Sequence, residues 1–468
     1  MLFSVTLLPP LFIDLWYGEG AFLAFFISFI VLLVLGLLIW FPVRRVETEL
    51  RLRDGFVVVV MFWTVLGLSG ALPLLMYHPL EISVTDAVFE SISGLTTTGA
   101  TVISGLDHLP HSILFYRQEL QWLGGMGIIV LAVAILPMLG IGGMQLYRAE
   151  APGPVKDNKL TPRITETAKT LWYIYLGLTI CCAIAYWVAG MELFDAVAHS
   201  FSTVAIGGFS TYDASIGYFE SPAIEAVAVV FMFLGGVNFA LHFTVFRRRN
   251  LKVYSADSEF KAYTGILLVA ALISIVYLYA YTNDGLSDAI RHGIFHAVSI
   301  GTTTGFATTE FYLWPAFLPV MLLFVSFIGG CAGSTGGGMK VIRVLLLYKQ
   351  GMREMNRLIH PNAQIVVKVG KVPTQGRVID AVWGFFAAYV ALFSLMMLFL
   401  LADGLDQITA FSAVAATMNN LGPGLGDVGA NYAGISDFAK WVLCVAMLLG
   451  RLEIFTLLVL FTPAFWRK

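Results

Sequence analysis

Residues 302–306 read Thr-Thr-Thr-Gly-Phe, and a turn of this kind, closing on a glycine, returns three more times along the chain. The four copies close on Gly99, Gly208, Gly305 and Gly422, at spacings of 109, 97 and 117 residues. Self-similarity at a nearly fixed interval marks a repeat architecture. Thirteen residues before each glycine stand Asp86, Asp195, His292 and Thr409, each opening a short apolar segment: 86–95, 195–204, 292–301 and 409–418. Such segments are too short to cross a bilayer, which takes about 20 residues of helix. A short apolar helix ending in a glycine-centred turn, with longer apolar runs on both sides, is the pattern of a re-entrant loop. Irregular backbone persists at membrane depth only where it is buried in protein or lines a water-filled path.

Composition agrees. Of 468 residues, 58% are hydrophobic and 12% charged, with a mean hydropathy of +0.82, whereas an ordinary soluble domain carries about 25% charged residues. A soluble domain is excluded, and an all-α polytopic membrane protein is indicated. Cys181, Cys182, Cys331 and Cys444 all fall in apolar runs. They read as small core residues, with no disulfide framework or zinc spacing. No cleavable signal is expected, because no basic residue precedes the first apolar run. That run, 1–17, contains Pro9 and Pro10 and is barely long enough for one crossing. A short, kinked or tilted first span is predicted, and a longer native N-terminus stays open.

Ten spans are expected, two leading and eight in four repeats. Residues 1–54 hold the leading pair and a basic loop; 55–170, 171–261, 262–377 and 378–468 hold one repeat each. The eight spans are placed at 55–77, 119–139, 171–189, 224–246, 262–281, 314–347, 378–402 and 438–468. Basic clusters read as cytoplasmic by the positive-inside rule: Arg44, Arg45, Arg51 and Arg53; Arg148, Lys156, Lys159, Arg163 and Lys169; Arg247, Arg248, Arg249 and Lys252; and the stretch 349–377. Placing Arg117, Arg291 and Lys440 outside and Lys340, Arg343 and Arg451 near membrane depth leaves 22 of the 28 Lys and Arg inside, with both termini cytoplasmic. The outer connections collect Glu81, Asp107, Glu192, Asp213, Glu220, Asp284, Glu310, Asp403, Asp406, Asp427 and Asp437. A negative vestibule would concentrate cations, although loops are polar in any protein.

Four such turns around one axis can replace the hydration shell of a cation with backbone carbonyls. Glycine at the turn admits the left-handed conformations that aim carbonyls inward, and each short helix points its partly negative C-terminus the same way. Thr97, Thr98, Thr303 and Thr304 are expected to brace the backbone from behind. Glu90, His199 and His296 stand at one common offset in their helices, with Ala413 in the fourth copy. They are expected to support the turns by hydrogen bonding; metal ligation by the two histidines lacks any further ligand spacing.

The run 314–347 is too long for one crossing, and its middle contains Gly329, Gly330, Gly333, Ser334, Thr335, Gly336, Gly337 and Gly338. Glycine this dense breaks a helix, which predicts a movable gate at 329–338. A phosphate loop is not indicated, because Lys340 stands one place late for that motif. Arg451 lies inside the last span, where a charge costs about 2.5–3.5 kcal/mol. Glu453, two residues along, points elsewhere on a helix. Arg451 is therefore expected to meet carbonyls of the 329–338 loop and restrain it, a buried ion pair being the plainer alternative.

The stretches GLTTTGAT (94–101), YRQELQWLGGMGIIVLAVAILPMLG (116–140), AIGGFSTYDASIGYF (205–219), IGGCAGSTGGGMKVIR (328–343) and NNLGPGLG (419–426) resemble the Trk/Ktr/HKT superfamily of potassium transporters. The resemblance covers nearly the whole chain. It implies four pseudo-symmetric units around a potassium pathway, a homodimer in the bacterial inner membrane, and a gate controlled by a cytosolic nucleotide-binding (RCK) ring of the TrkA type. Potassium would be the bound ion, with no organic cofactor and no nucleic-acid partner. The filter oxygens would come from Thr97, Thr98, Ile206, Gly207, Thr303, Thr304, Asn420 and Leu421. In related members a serine at the first filter glycine accompanies sodium transport; glycine at all four favours potassium. A potassium/sodium transporter and the channel-like subunit of an ATP-driven potassium pump remain alternatives. A membrane enzyme would need an acid, base or metal constellation at one depth, and the candidates here are scattered over pseudo-equivalent helices.

Overall fold

The computed structural model describes residues 1–45, 52–130, 164–282, 285–370 and 372–467. Arg51, Asp284, the basic cluster Arg148, Lys156, Lys159 and Arg163, and the 131–139 end of the expected return span lie outside them.

Among the described residues, the regular structure is helical apart from a small hairpin, β1 (Lys368–Val369) and β2 (Val372–Pro373). The leading pair is a 3-10 segment, Leu2–Leu7, running into α1 (Leu8–Tyr17), followed by α2 (Phe22–Val43). Pro9 and Pro10 occupy the first turn of α1, where a missing N–H has no intrahelical partner to lose. They start the helix instead of kinking it. Buried Asp14 accepts the Ala21 and Phe22 amides at 3.0 and 2.7 Å and the Ser112 hydroxyl at 3.1 Å, capping α2 and fastening the pair to the first repeat.

Repeat 1 is α3 (Leu52–Gly70), the short α4 (Val84–Leu95) and α5 (His111–Val130). Repeat 2 is α6 (Ile164–Val188), the short α7 (Leu193–Ala205), α8 (Pro222–Gly235) and α9 (Phe239–Arg248). Repeat 3 is α10 (Ser258–Tyr281), the short α11 (Leu286–Gly301), α12 (Phe317–Ile328) and α13 (Val341–Ile359). Repeat 4 is α14 (Gly376–Ala402), the short α15 (Gln407–Met418), α16 (Asp437–Leu452) and α17 (Ile454–Leu458). All four short helices start earlier than hydropathy alone suggests, and polar side chains cap the first and fourth. Ser83 accepts from the Asp86 amide, and Asp406 from those of Ile408 and Thr409, which satisfies first-turn N–H groups.

Among the described residues, five helices are long and apolar enough to cross a membrane, or up to seven when each bent pair counts as one span. The return spans expected at 224–246 and 438–468 are not straight. The chain turns by 96° between α8 and α9 and by 113° after α16, where Glu453 takes a positive φ of 60°. The break expected in repeat 3 alone therefore recurs in repeats 2 and 4. Gly235 and Gly236 allow the first of these; the second is not announced by any glycine or proline within the turn itself.

Each short helix packs against the return helix of the preceding repeat: α7 on α5, α11 on α8, α15 on α12, and α4 on α16. The last pairing joins repeat 4 to repeat 1 and closes the ring. Ion pairs stitch the same seams. Lys440 of α16 meets Asp86 of α4 at 2.7 Å, and Arg291 of α11 meets Glu225 of α8 at 2.6 Å. Arg117, one of the three basic residues expected on the outer side, is buried within α5 at 1% exposure, 2.7 Å from equally buried Glu90. It also donates to Ser210 O at 3.2 Å and lies 4.3 Å from the Phe209 ring centre, so it spans repeats 1 and 2.

Breaking a buried pair by removing one partner typically costs about 3–5 kcal/mol, because the other charge stays behind. Arg117→Leu should accordingly cause a large fall in the melting temperature of the detergent-solubilised protein. Pairing it with Glu90→Gln should recover at least half of the loss.

Candidate functional site

The four turns share one backbone design. At each short-helix C-terminus the residue after the last helical turn is left-handed: Thr97 (φ 52°), Ile206 (56°), Thr303 (70°) and Asn420 (53°). Its amide bonds back three residues, to Gly94, Thr203, Ile300 and Thr417. The next amide bonds back five residues: Thr98 to Ser93, Gly207 to Ser202, Thr304 to Ser299 and Leu421 to Ala416, all at 2.7–2.8 Å. This six-to-one closure belongs to the Schellman motif. It uses the amides of the turn and leaves its carbonyls uncommitted. β-branched residues resist this conformation, at about 1–2 kcal/mol each, yet Thr or Ile fills it three times.

Gly99, Gly208, Gly305 and Gly422 follow, again at positive φ (80, 79, 85 and 99°). Each lies against the carbonyl that precedes the glycine of another turn. A Cβ on Gly99 would stand 2.1 Å from Gly207 O, on Gly208 2.0 Å from Thr304 O, on Gly305 2.1 Å from Leu421 O, and on Gly422 2.6 Å from Thr98 O. These contacts run from turn 1 to 2, 2 to 3, 3 to 4 and 4 to 1. The sequence-predicted residues Thr97, Thr98, Ile206, Gly207, Thr303, Thr304, Asn420 and Leu421 thus come together in one closed ring with the four glycines.

The bracing differs from expectation. The Thr98 and Thr304 hydroxyls bond the hydroxyls of Thr96 and Thr302 at 2.7 Å, not the backbone. Thr303 Oγ1 accepts the Gly337 amide at 2.6 Å, and Thr97 Oγ1 has no hydrogen bond among the described residues. Glu90, His199 and His296 hold the chain just beyond each glycine. Glu90 accepts the Val102 amide at 2.9 Å, His199 Nε2 meets Ser210 Oγ at 3.0 Å, and the Thr308 amide donates to His296 Nε2 at 3.5 Å. The fourth copy, with Ala413, uses neighbouring Ser412, whose hydroxyl takes the Leu425 amide at 2.8 Å.

All four glycines open onto a cavity of about 400 Å³. Of the acidic residues expected at an outer vestibule, Asp213 and Glu310 line it. Burial, and the hydrogen bond Tyr312 donates to Glu310 at 2.9 Å, push the Tyr312 phenol up to about 12. The tyrosine stays protonated at neutral pH and adds no charge to the mouth.

On the other side of the ring lies the 329–338 segment, which joins α12 to α13. Gly337 and Gly338 pack on Asn419 O, the latter through an amide bond of 3.0 Å. Thr335 Oγ1 donates to Val204 O at 2.9 Å. The far side of the segment rests on the α8–α9 break, where the Cys331 amide reaches Gly236 O at 2.8 Å and the Phe239 amide reaches Gly333 O at 3.0 Å. Ser334 bonds within the segment, to Cys331 O at 2.6 Å, and Lys340 Nζ donates to Gly336 O. A Cβ on Gly329 would stand 2.1 Å from Gly337 O, and one on Gly330 2.7 Å from Ser334 Oγ, so the segment folds tightly on itself. Arg451 donates to Thr335 O at 3.0 Å and to Gly124 O at 3.3 Å, joining repeats 4, 3 and 1. Glu453 pairs with Arg343 at 2.8 Å. A cavity of about 70 Å³ is bounded by this segment, Arg451, Arg343 and Glu453.

Sequence reasoning missed Glu259, whose Oε1 accepts the Ala332 and Ile342 amides at 2.7 and 3.2 Å and ties both ends of the segment. It also missed Gln121 and Tyr432, which donate to Gly207 O and Gly422 O at 2.6 and 2.8 Å. The partners of Glu259 and Gln121 lie 73 or more residues off in sequence, and Tyr432 reaches across a loop to Gly422, so no local spacing pointed to them.

A closed ring of backbone carbonyls inside four helical membrane repeats, with a vestibule on one side, points to a cation-transport protein. The chain belongs to the TrkH family: the family's sequence model, described as cation transport protein, matches residues 22–468. The Trk system potassium uptake protein TrkH of Vibrio parahaemolyticus is 61% identical over 472 residues, covering 100% of this chain and 97% of that one. The protein of the same name from Escherichia coli K12 is 55% identical over 469 residues, with the same coverage. The crystal structure of the potassium transporter TrkH from Vibrio parahaemolyticus superposes with a TM-score of 0.92 at 58% identity, again over 100% and 97% of the two chains.

Gly208→Ala combines left-handed strain with a clash on backbone, for an expected loss of about 2–5 kcal/mol. Gly404→Ala meets the strain alone, since nothing lies within 4 Å of its Cβ site, and should cost about 1–2 kcal/mol. Melting curves in detergent should rank the two variants in that order.

Proposed function

We propose that this chain carries potassium ions into the cell through the ring of four turns, acting as the filter, with the 329–338 segment as its gate. The observation that carries the reading is the cyclic contact of each glycine with the carbonyl of another turn. It presents Thr98 O, Gly207 O, Thr304 O and Leu421 O at one level, where they can stand in for the hydration shell of a cation. The names of the relatives supply potassium and uptake, and glycine at all four filter positions agrees with potassium over sodium.

The gate reading is supported by where the segment sits. Its glycines abut Asn419 O and Thr302 O directly behind the ring, so an ion leaving the filter meets backbone. Arg451 holds the segment by Thr335 O while placing a positive charge beneath the filter. Lys340, two residues beyond the segment, adds a second. Opening requires the segment to release Val204 O, Asn419 O and the α8–α9 break, and Glu259 would keep its ends anchored meanwhile. The relatives are components of a Trk system, so further components are part of this proposal: a cytosolic nucleotide-binding ring acting on the basic inner face, and a second copy of this chain. The inner membrane, with both termini cytoplasmic, is the location that the distribution of Lys and Arg supports.

The test is potassium and sodium uptake into liposomes containing the purified chain, under an imposed voltage. Potassium flux should exceed sodium flux, and Gly305→Ser should narrow the difference; equal fluxes in the unaltered protein would refute the filter. Arg451→Ala should raise potassium flux severalfold if the arginine restrains the gate. Unchanged flux in folded protein would remove that part of the proposal.

A further inference from the structure

The ring is not equally held at its four positions. Gln121, buried on α5, reaches from repeat 1 into turn 2. Its Nε2 donates to Gly207 O at 2.6 Å and its Oε1 accepts the Phe209 amide at 3.0 Å. A backbone N–H can only donate, so the amide orientation is fixed by its partners, oxygen toward Phe209 and nitrogen toward Gly207. A Cβ on Gly207 would fall 2.3 Å from Gln121 Cδ, so the amide lies directly against the turn. Among the described residues, Gly207 O is the one of the four ring carbonyls that accepts a side-chain hydrogen bond.

Turn 2 differs from the others in a way that explains this contact. Turns 1 and 3 carry the Thr96–Thr98 and Thr302–Thr304 hydroxyl pairs, and Asn420 of turn 4 donates to Thr98 Oγ1 at 2.9 Å. Turn 2 reads Ala205-Ile206-Gly207-Gly208, with no polar side chain and, at the ring position, no side chain at all. Gly207 has the freest backbone of the four. A donor behind its carbonyl limits how far the oxygen can move toward the axis, and occupies one of its two lone pairs. We propose that Gln121 is a specificity-determining positioning residue, which holds the Gly207 carbonyl at fixed reach and lowers its strength as a cation ligand. Without it, that oxygen closes more readily around a smaller ion, and discrimination against sodium falls. The inference rests on the ring being the filter.

Gln121→Met keeps length and burial but cannot donate. One such hydrogen bond corresponds to a factor of about three to ten. The potassium-to-sodium uptake ratio in liposomes should fall by about that factor, chiefly through a gain in sodium uptake relative to potassium. Gln118→Leu serves as the control: Gln118, one turn away, donates to Phe209 O at 3.3 Å and not to a ring carbonyl, and its ratio should not move. If Gln121→Met does not assemble, Gln121→Asn takes its place; the amide is kept but retracted by one methylene, and the same fall is expected. An unchanged ratio in either variant, including equal slowing of both ions, overturns the proposal. Gly305→Ser in the same vesicles separates the two readings. If it loses discrimination while Gln121→Met keeps it, only the role of Gln121 fails; if neither changes the ratio, the filter itself fails.

Discussion

The peptide oxygens of the four turns face a common axis because the amides of those turns are bound to the helices behind them. A helix C-terminus leaves its last carbonyls without partners, and the turn amides of Thr98, Gly207, Thr304 and Leu421 supply those partners by bonding back five residues. The closure requires a left-handed residue just before, and the chain accepts Thr97, Ile206 and Thr303 there against their own preference. Such strain survives only where surroundings over-determine it. The surroundings are the other three turns, pressed so close that no Cβ fits between a glycine and its neighbour's carbonyl. Ring closure by α4 on α16, the Lys440–Asp86 and Arg291–Glu225 pairs, and Arg117 reaching Ser210 O all maintain that closeness.

Much of this was legible in the sequence, for a physical reason. Glycine recurring at one interval after short apolar segments reports a backbone conformation that only a few residues tolerate, so Gly99, Gly208, Gly305 and Gly422 could be placed directly. The 329–338 break was legible from excess length and glycine density. The bends after α8 and α16 were not, because hydropathy runs unbroken through both and reports burial in lipid or protein, not direction. The burial and pairing of Arg117 were not legible because its counter-ion stands 27 residues away on another helix. The threonine hydroxyls were misassigned because hydroxyl rotors choose among several near partners, and sequence does not rank them. Glu259, Gln121 and Tyr432 act through contacts between elements, which spacing along one element does not reveal.

The segment behind the ring is held by many weak contacts and few strong ones. Its bonds to Val204 O, from the Thr335 hydroxyl, and to Asn419 O and Gly236 O, from peptide amides, are ordinary neutral hydrogen bonds, each of modest net worth because they exchange for water when broken. Arg451 differs: once buried, its guanidinium depends on Thr335 O, Gly124 O and the Trp63 ring 5.9 Å away. A segment built this way can be displaced as a unit while the rigid ring above it stays assembled. The ring and the segment behind it thus differ in kind, one strained and interlocked, the other loosely docked.

The bend that follows the return helix takes a different form in each described repeat: three residues between α8 and α9, the single residue Glu453 after α16, and the long 329–340 connection in repeat 3. Four identical subunits could not do this. Any insertion behind the ring would appear in every quadrant, and four copies of a segment that already touches Val204, Thr302 and Asn419 would collide on the axis. Joining the quadrants in one polypeptide lets a single one carry the long connection while the others shorten to receive it. Covalent fusion, which the symmetry of the ring does not require, is what makes a one-sided segment behind the ring sterically possible.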